Sequence, residues 1–169
     1  IFKSISAHIK KTGVFVNMDQ ENILQIANKF QLEALQLHGN ESPELCLALK
    51  DRGFEIIKAF HVDETFNFDL TLPYAEVSDY YLFDTKSSGW GGSGRKFNHD
   101  LLRGFDFHQP YFMSGGIELE DISGILSANY PLPATIDINS RFELSPGMKD
   151  TALVAKAIDN VKHYNAQFL

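Results

Sequence analysis

The chain has 169 residues, of which 44% are hydrophobic, and this is enough to bury the core of one domain. Its formal net charge of -7, with no run of lysines or arginines, gives no electrostatic footprint for nucleic acid or an anionic membrane surface. No apolar run approaches the roughly 20 residues that cross a bilayer, and the single cysteine, Cys46, excludes an internal disulfide, so we expect a soluble, cytoplasmic protein with a small-molecule partner.

The first third of the chain alternates between helical and extended patterns. A leading helix is predicted by apolar residues that share one helical face, namely Phe2, Ile5 and Ile9. Gly13 ends this pattern, and the apolar stretch Val14–Val16 predicts the first strand. The next helix has Asn17 or Asp19 available as its N-cap. This helix is predicted by apolar residues at helical spacing, namely Ile23, Ile26, Ala27 and Phe30.

Two more strands and another helix follow before residue 61. Leu35–Leu37 resumes an extended pattern. Ser42 and Pro43 predict the start of a helix, because serine caps helices well and proline suits the first helical position. The apolar residues of Glu55–Phe60 then predict the next strand.

The second half of the chain continues the alternation. Nearly continuous apolar runs predict strands at Tyr80–Phe83, Tyr111–Met113 and Ala134–Ile136, and such runs are typical of strands buried on both faces. A short helix is predicted near Leu101. The last two predicted helices have apolar faces formed by Ile122, Ile125 and Leu126, and by Val154, Ala157, Ile158 and Val161.

Strict alternation of strands and helices, with no signal for an antiparallel hairpin, predicts an α/β fold with a parallel sheet covered by helices. The pattern alone leaves open a doubly wound sheet or a (β/α)8 TIM barrel. A closed barrel has eight strands and typically about 250 residues, whereas six strands and a leading helix are predicted here. On the barrel interpretation, we expect two strands and one helix to precede Ile1. Residues 1–169 would then form a single barrel domain that is incomplete at its N-terminus.

Polar residues just after the predicted strands are the candidates for function, because parallel α/β proteins build their sites at strand ends. These residues are Asn17, His38–Gly39, His61, Asp84–Lys86, Ser114–Gly116 and Asn139–Arg141. Asp84 follows four apolar residues, and this position would desolvate its carboxylate and suit a general acid. A role for Asp84 in a turn or a helix cap fits its position equally well.

Two strand ends and one glycine-rich loop predict a phosphate-bearing ligand. Barrels often hold phosphate on backbone amides and a helix N-terminus after their last two strands, which here end at Ser114–Gly116 and Asn139–Arg141. The loop Gly89–Gly94 would let backbone amides approach a ligand, or would close over it. Ordinary strand-to-helix turns are the alternative interpretation of both strand ends, and phosphate binding is the leading one.

A divalent metal site is the rival hypothesis. His38, His61 and Asp84 close successive predicted strands and could converge as ligands. A structural role is the simpler interpretation of His38. Cys46 lies inside a predicted helix rather than at a strand end, so we predict that it packs in the core and performs no chemistry.

Several motifs, in order along the chain, resemble the phosphoribosylanthranilate isomerase family. They are Gly13–Asn17, Gln36–Gly39, Ser42–Glu44, Asp84–Lys86, Gly91–Phe97, Ser114–Gly116 and Pro146–Asp150. The resemblance implies a (β/α)8 barrel of tryptophan biosynthesis. Such an enzyme converts N-(5'-phosphoribosyl)anthranilate into its 1-deoxyribulose isomer by an Amadori rearrangement, and the resemblance implies no cofactor and no metal.

The resemblance also implies roles for single residues. Asp84 would be the general acid, and substrate contacts would fall to His38, Gly92, Gly94, Gly115, Gly116, Ser140 and Arg141, the last four at the phosphate. Arg141 stands where many relatives have glycine, so it either adds a contact to the phosphate or points outward. The family's general base is a cysteine at the end of the opening strand, and Cys46 does not match it. We therefore expect residues 1–169 alone to be inactive.

Two other functions are compatible with these residues. A metal-assisted phosphosugar epimerase or isomerase on the same barrel would use His38, His61 and Asp84 as ligands, and it would lose activity to chelators. A non-catalytic subunit that binds a phosphate ligand would need no general base. The isomerase is our leading hypothesis.

Overall fold

The computed structural model describes residues 6, 8–85, 98–128, 130 and 133–168. Within this part of the chain, one sheet has six strands in sequence order: Thr12–Phe15 (β1), Ala34–Leu37 (β2), Glu55–Val62 (β3), Tyr80–Thr85 (β4), Tyr111–Met113 (β5) and Pro133–Ile136 (β6). The pairs β1–β2, β2–β3 and β5–β6 are parallel. The α-helices are Gln20–Phe30 (α1), Pro43–Lys50 (α2), Leu119–Ser127 (α3) and Thr151–Phe168 (α4).

Shorter 3₁₀ helices occupy three of the connections, at Phe68–Tyr74, His99–Gly104 and Ser140–Phe142. The second of these coincides with the short helix predicted near Leu101. None of the helices in the described part of the chain combines the length and the apolar character that crossing a bilayer requires. The predicted alternation of strands and helices is confirmed. The first strand was predicted at Val14–Val16 but spans Thr12–Phe15, and two other strands continue past their predicted C-terminal ends. β3 continues to Val62 and so includes His61, and β4 continues to Thr85 and so includes Asp84.

One prediction about the strands was wrong, because the chain does contain an antiparallel hairpin. Glu143–Ser145 (β7) pairs antiparallel with Met148–Lys149 (β8). The intervening turn contains Gly147, whose φ of 79° lies in the left-handed region. Strands of three and two residues are too short to show a period of two along the sequence, which is why the pattern gave no hairpin signal.

Backbone contacts divide the chain into two compact units, and each is described here by itself. The first comprises Ile1–Phe60, Asn67–Leu82 and His108–Pro110, and the second comprises His61–Phe66, Phe83–Phe107 and Tyr111–Leu169. The single incomplete barrel domain stays a prediction. So does most of the leading helix, since residues 1–5 and 7 lie outside the described part of the chain.

The first unit is built on a hydrophobic core between the strands and the first two helices. Its buried residues are Phe15, Ile23, Ala27, Leu35, Leu37, Cys46, Leu49 and Ile56. Asp19 is the N-cap of α1, where its Oδ1 accepts a hydrogen bond from the amide of Asn22 at 3.0 Å. Ser42 caps α2 in the same way through the amide of Leu45 at 3.4 Å, and Pro43 occupies the first helical position.

The second unit has an aromatic core and a helical layer. The ring of Phe107 lies with its centroid 4.9 Å from the centroids of both Phe83 and Tyr111. α3 packs against α4, where Ala157 is buried. Ile158 belongs to the predicted apolar stripe of α4 but is 48% exposed.

Candidate active site

The end of β4 holds a carboxylic acid in a largely buried position. Asp84 is 7% exposed and directly follows Phe83, which is fully buried. Its Oδ1 accepts a hydrogen bond from the amide of Thr85 at 2.8 Å. In the same unit, a carboxylate oxygen of Asp84 and a ring nitrogen of His61 lie within 4.8 Å of each other. A buried carboxyl group at the end of a strand is in a suitable place for proton transfer to a bound substrate.

The turn after β5 combines left-handed glycines with hydrogen bonds to both neighbouring strands. Gly115 and Gly116 have φ angles of 92° and 65°, a conformation that side chains with a Cβ rarely adopt. The amide of Ser114 donates to the carbonyl oxygen of Phe83 at 3.0 Å, and its hydroxyl donates to Oδ2 of Asp137 at 3.0 Å. α3 begins shortly afterwards, so backbone amides and a helix N-terminus meet at this turn and favour an anion.

The turn after β6 is joined to α3 by an ion pair. The amide of Asp137 donates to the carbonyl oxygen of Met113 at 2.8 Å, and the short helix Ser140–Phe142 follows. Nη1 of Arg141 lies 3.4 Å from Oε1 of Glu118, the N-cap of α3. Both side chains are nearly half exposed, at 47% and 40%, so the pair contributes little stability and an anionic ligand can compete for the guanidinium group.

The β7–β8 hairpin supports the same turn. Nζ of Lys149 donates to Oε1 of Glu143 at 2.8 Å and also donates to Oδ1 of Asn139. This hydrogen bond with Lys149 lowers the pKa of Glu143. Asn139 immediately precedes Ser140, so the lysine links the hairpin to the predicted phosphate turn.

In the first unit, His38 follows β2 and is held through its backbone and its ring. Its amide donates to the carbonyl oxygen of Phe15 at 2.8 Å, and Nε2 of Gln36 lies 2.7 Å from its Nδ1. This contact holds the imidazole ring of His38 beside the side chain of Gln36.

Gly39 allows the turns after β1 and β2 to approach closely. A Cβ atom at Gly39 would lie 2.5 Å from Oδ1 and 2.8 Å from the backbone nitrogen of Asn17. Asn17 itself has a φ of 51°, in the left-handed region that asparagine tolerates better than most residues. Its Oδ1 accepts a hydrogen bond from the amide of Asn40 at 2.7 Å.

We expect Gly39→Ala to lower the free energy of unfolding by about 1–3 kcal/mol, because backbone atoms must shift to admit the methyl group. Urea unfolding followed by circular dichroism measures this change. Gly124→Ala is the matched control, since a Cβ there has no atom within 4 Å and alanine is favoured inside α3. Equal unfolding midpoints for the two variants would show that the contact between Gly39 and Asn17 is not tight.

Beside these turns lies a buried ion pair that the sequence analysis did not single out. Nζ of Lys58 is 3.1 Å from Oε2 of Glu41, and the two side chains are 3% and 1% exposed. A lysine between the apolar residues Ile57 and Ala59 of a predicted strand was the available signal, since buried charges require a partner. Asp137 was also omitted from the predicted site, although it directly follows β6 and accepts the hydrogen bond of Ser114.

Comparison with known proteins identifies the family. The model of the N-(5'-phosphoribosyl)anthranilate (PRA) isomerase family matches residues 3–160. The chain belongs to this family. The isomerase of Parabacteroides distasonis is 43% identical over 160 residues, which cover 95% of this chain and 69% of the relative. That of Phocaeicola vulgatus is 41% identical over 152 residues, covering 90% and 74%.

Solved structures of the family share the fold. The phosphoribosyl anthranilate isomerase of Thermotoga maritima superposes with a TM-score of 0.84 at 32% identity, covering 96% of this chain and 77% of that one. A second isomerase structure, in complex with reduced 1-(o-carboxyphenylamino)-1-deoxyribulose 5-phosphate, gives a TM-score of 0.80 at 29% identity and covers 96% and 76%. The predicted family and the predicted barrel-type α/β fold are confirmed, so the doubly wound alternative is set aside.

Family membership does not favour the metal-assisted alternative. A carboxylate oxygen of Asp84 and a ring nitrogen of His61 do lie close to each other in the second unit, as the metal hypothesis requires. The family match instead points to the acid-base isomerisation implied by the motifs. The three residues are therefore not assigned to a metal.

Lys86 and the glycine loop, with the predicted substrate contacts Gly92 and Gly94, lie outside the described residues.

Cys46 is fully buried, and burial raises the pKa of its thiol to about 11. Because the thiolate is the reactive form, this cysteine is suited to packing rather than to chemistry.

Proposed function

We propose that this chain is an N-(5'-phosphoribosyl)anthranilate isomerase with Asp84 as its general acid. The observation that carries the proposal is the adjacency of three strand ends in the second unit. The amide of Ser114 donates a hydrogen bond to the carbonyl oxygen of Phe83, the residue before Asp84. The hydroxyl of Ser114 donates one to Oδ2 of Asp137, which directly follows β6. Asp84 and the turns after β5 and β6 therefore lie at adjacent strand ends, and parallel α/β enzymes bind their substrates at such ends.

The phosphate of the substrate would bind at the turns after β5 and β6. Gly115 and Gly116 contribute left-handed backbone next to the N-terminus of α3, and Ser140 contributes an exposed hydroxyl group. Arg141 would exchange its pairing with Glu118 for the phosphate, because a dianion attracts the guanidinium more strongly than one carboxylate does. These contacts hold the sugar with its ring toward the strand ends.

Chemistry would begin when Asp84 donates its proton to the furanose ring oxygen. The bond from that oxygen to the anomeric carbon breaks, and the anthranilate nitrogen supplies the electron pair that forms an iminium ion. A base then removes the proton from the neighbouring carbon, which gives an enolamine, and tautomerisation yields the ketone. Asp84 is the residue of this chain to which we assign proton transfer.

His38 would contact the substrate through its imidazole ring. Nε2 of Gln36 lies 2.7 Å from Nδ1 of this ring and helps to orient it. Gly92 and Gly94 are assigned to the substrate on the family resemblance alone. The cytoplasm is the compartment we propose for this biosynthetic step.

The experiment that tests this function is direct. Intact protein is mixed with N-(5'-phosphoribosyl)anthranilate, and the anthranilate fluorescence is followed with time. We expect the fluorescence to fall at a rate proportional to enzyme concentration and to be unaffected by a chelator. A signal that stays constant with folded protein would refute the proposed isomerase.

A further inference from the structure

Lys58 is a buried cation for which the proposed chemistry has no use. It lies in β3, and its side chain is 3% exposed. Nζ donates to Oε2 of Glu41 at 3.1 Å and to the carbonyl oxygens of Gly39 at 2.7 Å, Leu37 at 3.1 Å and Ala59 at 3.1 Å. An ammonium group has three protons, and these four acceptors engage them all. Lys58 is therefore arranged to hold atoms in place rather than to accept a proton.

Two of these acceptors flank His38 in the chain. They are the carbonyl oxygens of Leu37 and Gly39, the residues directly before and after it. Oε2 of Glu41 accepts a hydrogen bond from the amide of Gly39 at 2.9 Å. The peptide groups on both sides of the histidine are thus bound to one buried ion pair.

Glu41 extends the same network to the turn after β1. Its Oε1 accepts a hydrogen bond from the amide of Asn17 at 2.7 Å. Its backbone carbonyl accepts one from the hydroxyl of Tyr74 at 2.9 Å. Because Asn17 and Gly39 are also in close contact, neither turn can move without breaking bonds to the carboxylate.

A buried ion pair is a poor way to gain stability alone. Removing two charges from water is unfavourable, and apolar residues of similar volume often stabilise a core as well or better. A buried ion pair instead provides strong, directional hydrogen bonds, and these fix the positions of the peptide groups bonded to it. This ion pair binds the peptide groups on both sides of His38, the residue assigned to the substrate. Its directional hydrogen bonds can therefore fix the position of that residue.

We propose that Lys58, together with Glu41, is a positioning residue for the isomerase reaction, because it holds the backbone on both sides of His38. The proposal rests on the proposed function, since it requires His38 to contact the substrate. We assign Lys58 no direct contact with the substrate, since its side chain is 3% exposed and paired with Glu41. Its removal should lower activity through the placement of His38.

The test uses the double variant Lys58→Met/Glu41→Gln in the intact protein, which removes both charges and leaves no buried ion unpaired. We expect a folded protein whose kcat/KM is at least about tenfold lower, because the carbonyl groups on both sides of His38 lose their ammonium donor and the glutamine amide has one acceptor oxygen where the carboxylate has two. The ring nitrogen signals of His38, followed by NMR, should shift or broaden. The matched control is Lys10→Met/Glu55→Gln, which makes the same changes in an exposed pair of the same unit and should retain wild-type kcat/KM.

Two results would overturn the proposal. One is a folded double variant with wild-type kcat/KM and unchanged His38 signals. The other is an activity loss that merely follows loss of folded protein, as judged by circular dichroism, with the His38 signals of the folded fraction unchanged. If wild-type protein shows no isomerase activity, the proposed function fails separately. The His38 signals then still decide whether the pair orients that residue.

Discussion

Replacing Asp84 with asparagine is expected to lower kcat of the intact protein by at least about 100-fold, because general acid catalysis contributes about 10²–10⁴-fold. The amide is nearly isosteric with the acid and keeps an oxygen for the hydrogen bond from Thr85. It carries no acidic proton for the ring oxygen. Loss of anthranilate fluorescence at saturating substrate measures kcat, and circular dichroism verifies the fold.

The matched control for this experiment is Asp106→Asn. Asp106 is exposed and belongs to the same unit, so this variant makes the same chemical change without touching the strand end. We expect it to turn over substrate at the wild-type rate. Wild-type kcat in Asp84→Asn, measured beside this control, would dismiss Asp84 as the acid.

The second large effect is expected from Ser140→Asp, which places a carboxylate in the turn proposed to bind phosphate. Charge repulsion and the lost hydroxyl contact should raise KM about 100-fold, which corresponds to about 2.7 kcal/mol of binding free energy. Ser140 is exposed, so the fold should tolerate the substitution. Initial rates across a range of substrate concentrations separate KM from kcat.

Ser123→Asp is the control for Ser140→Asp. Ser123 is also exposed, and this substitution adds the same negative charge on α3 instead of in the turn. Repulsion by an exposed charge is screened by salt, so the KM of Ser140→Asp should move toward the wild-type value as ionic strength rises. Equal KM values for the two variants would place the phosphate elsewhere.

Positions on single strands were the part of the site most open to sequence reasoning. Asp84, Ser114 and Asp137 each lie at the end of an apolar run, and an apolar run ends where the sheet ends. The pairing of Gln36 with His38 was also within reach, because residues two apart lie on the same face of an extended chain. The predicted strand limits at Phe60 and Phe83 were too early, because His61 and Asp84 are polar residues that continue their strands.

Contacts between residues far apart in the chain were not accessible in this way. Lys58 and Glu41 are 17 positions apart, and no period of two or 3.6 relates them. Arg141 had two predicted orientations, and the structure shows it paired with Glu118 at the start of α3. The hairpin that carries Lys149 had no pattern to reveal it.

By itself, the sequence determined the alternation of strands and helices, the family, and the strand ends that carry Asp84, Gly115 and Gly116. The helices, strands and turns follow from hydrophobic periodicity, from helix capping and from the backbone freedom of glycine. Each of these effects acts between residues that are close in the sequence. Only the tertiary structure decided that the buried Lys58 donates hydrogen bonds to the carbonyl groups before and after His38. It also decided that Ser114 is hydrogen-bonded to the ends of the two neighbouring strands. Burial and hydrogen-bond direction depend on which distant segments meet, and that is a property of the folded chain.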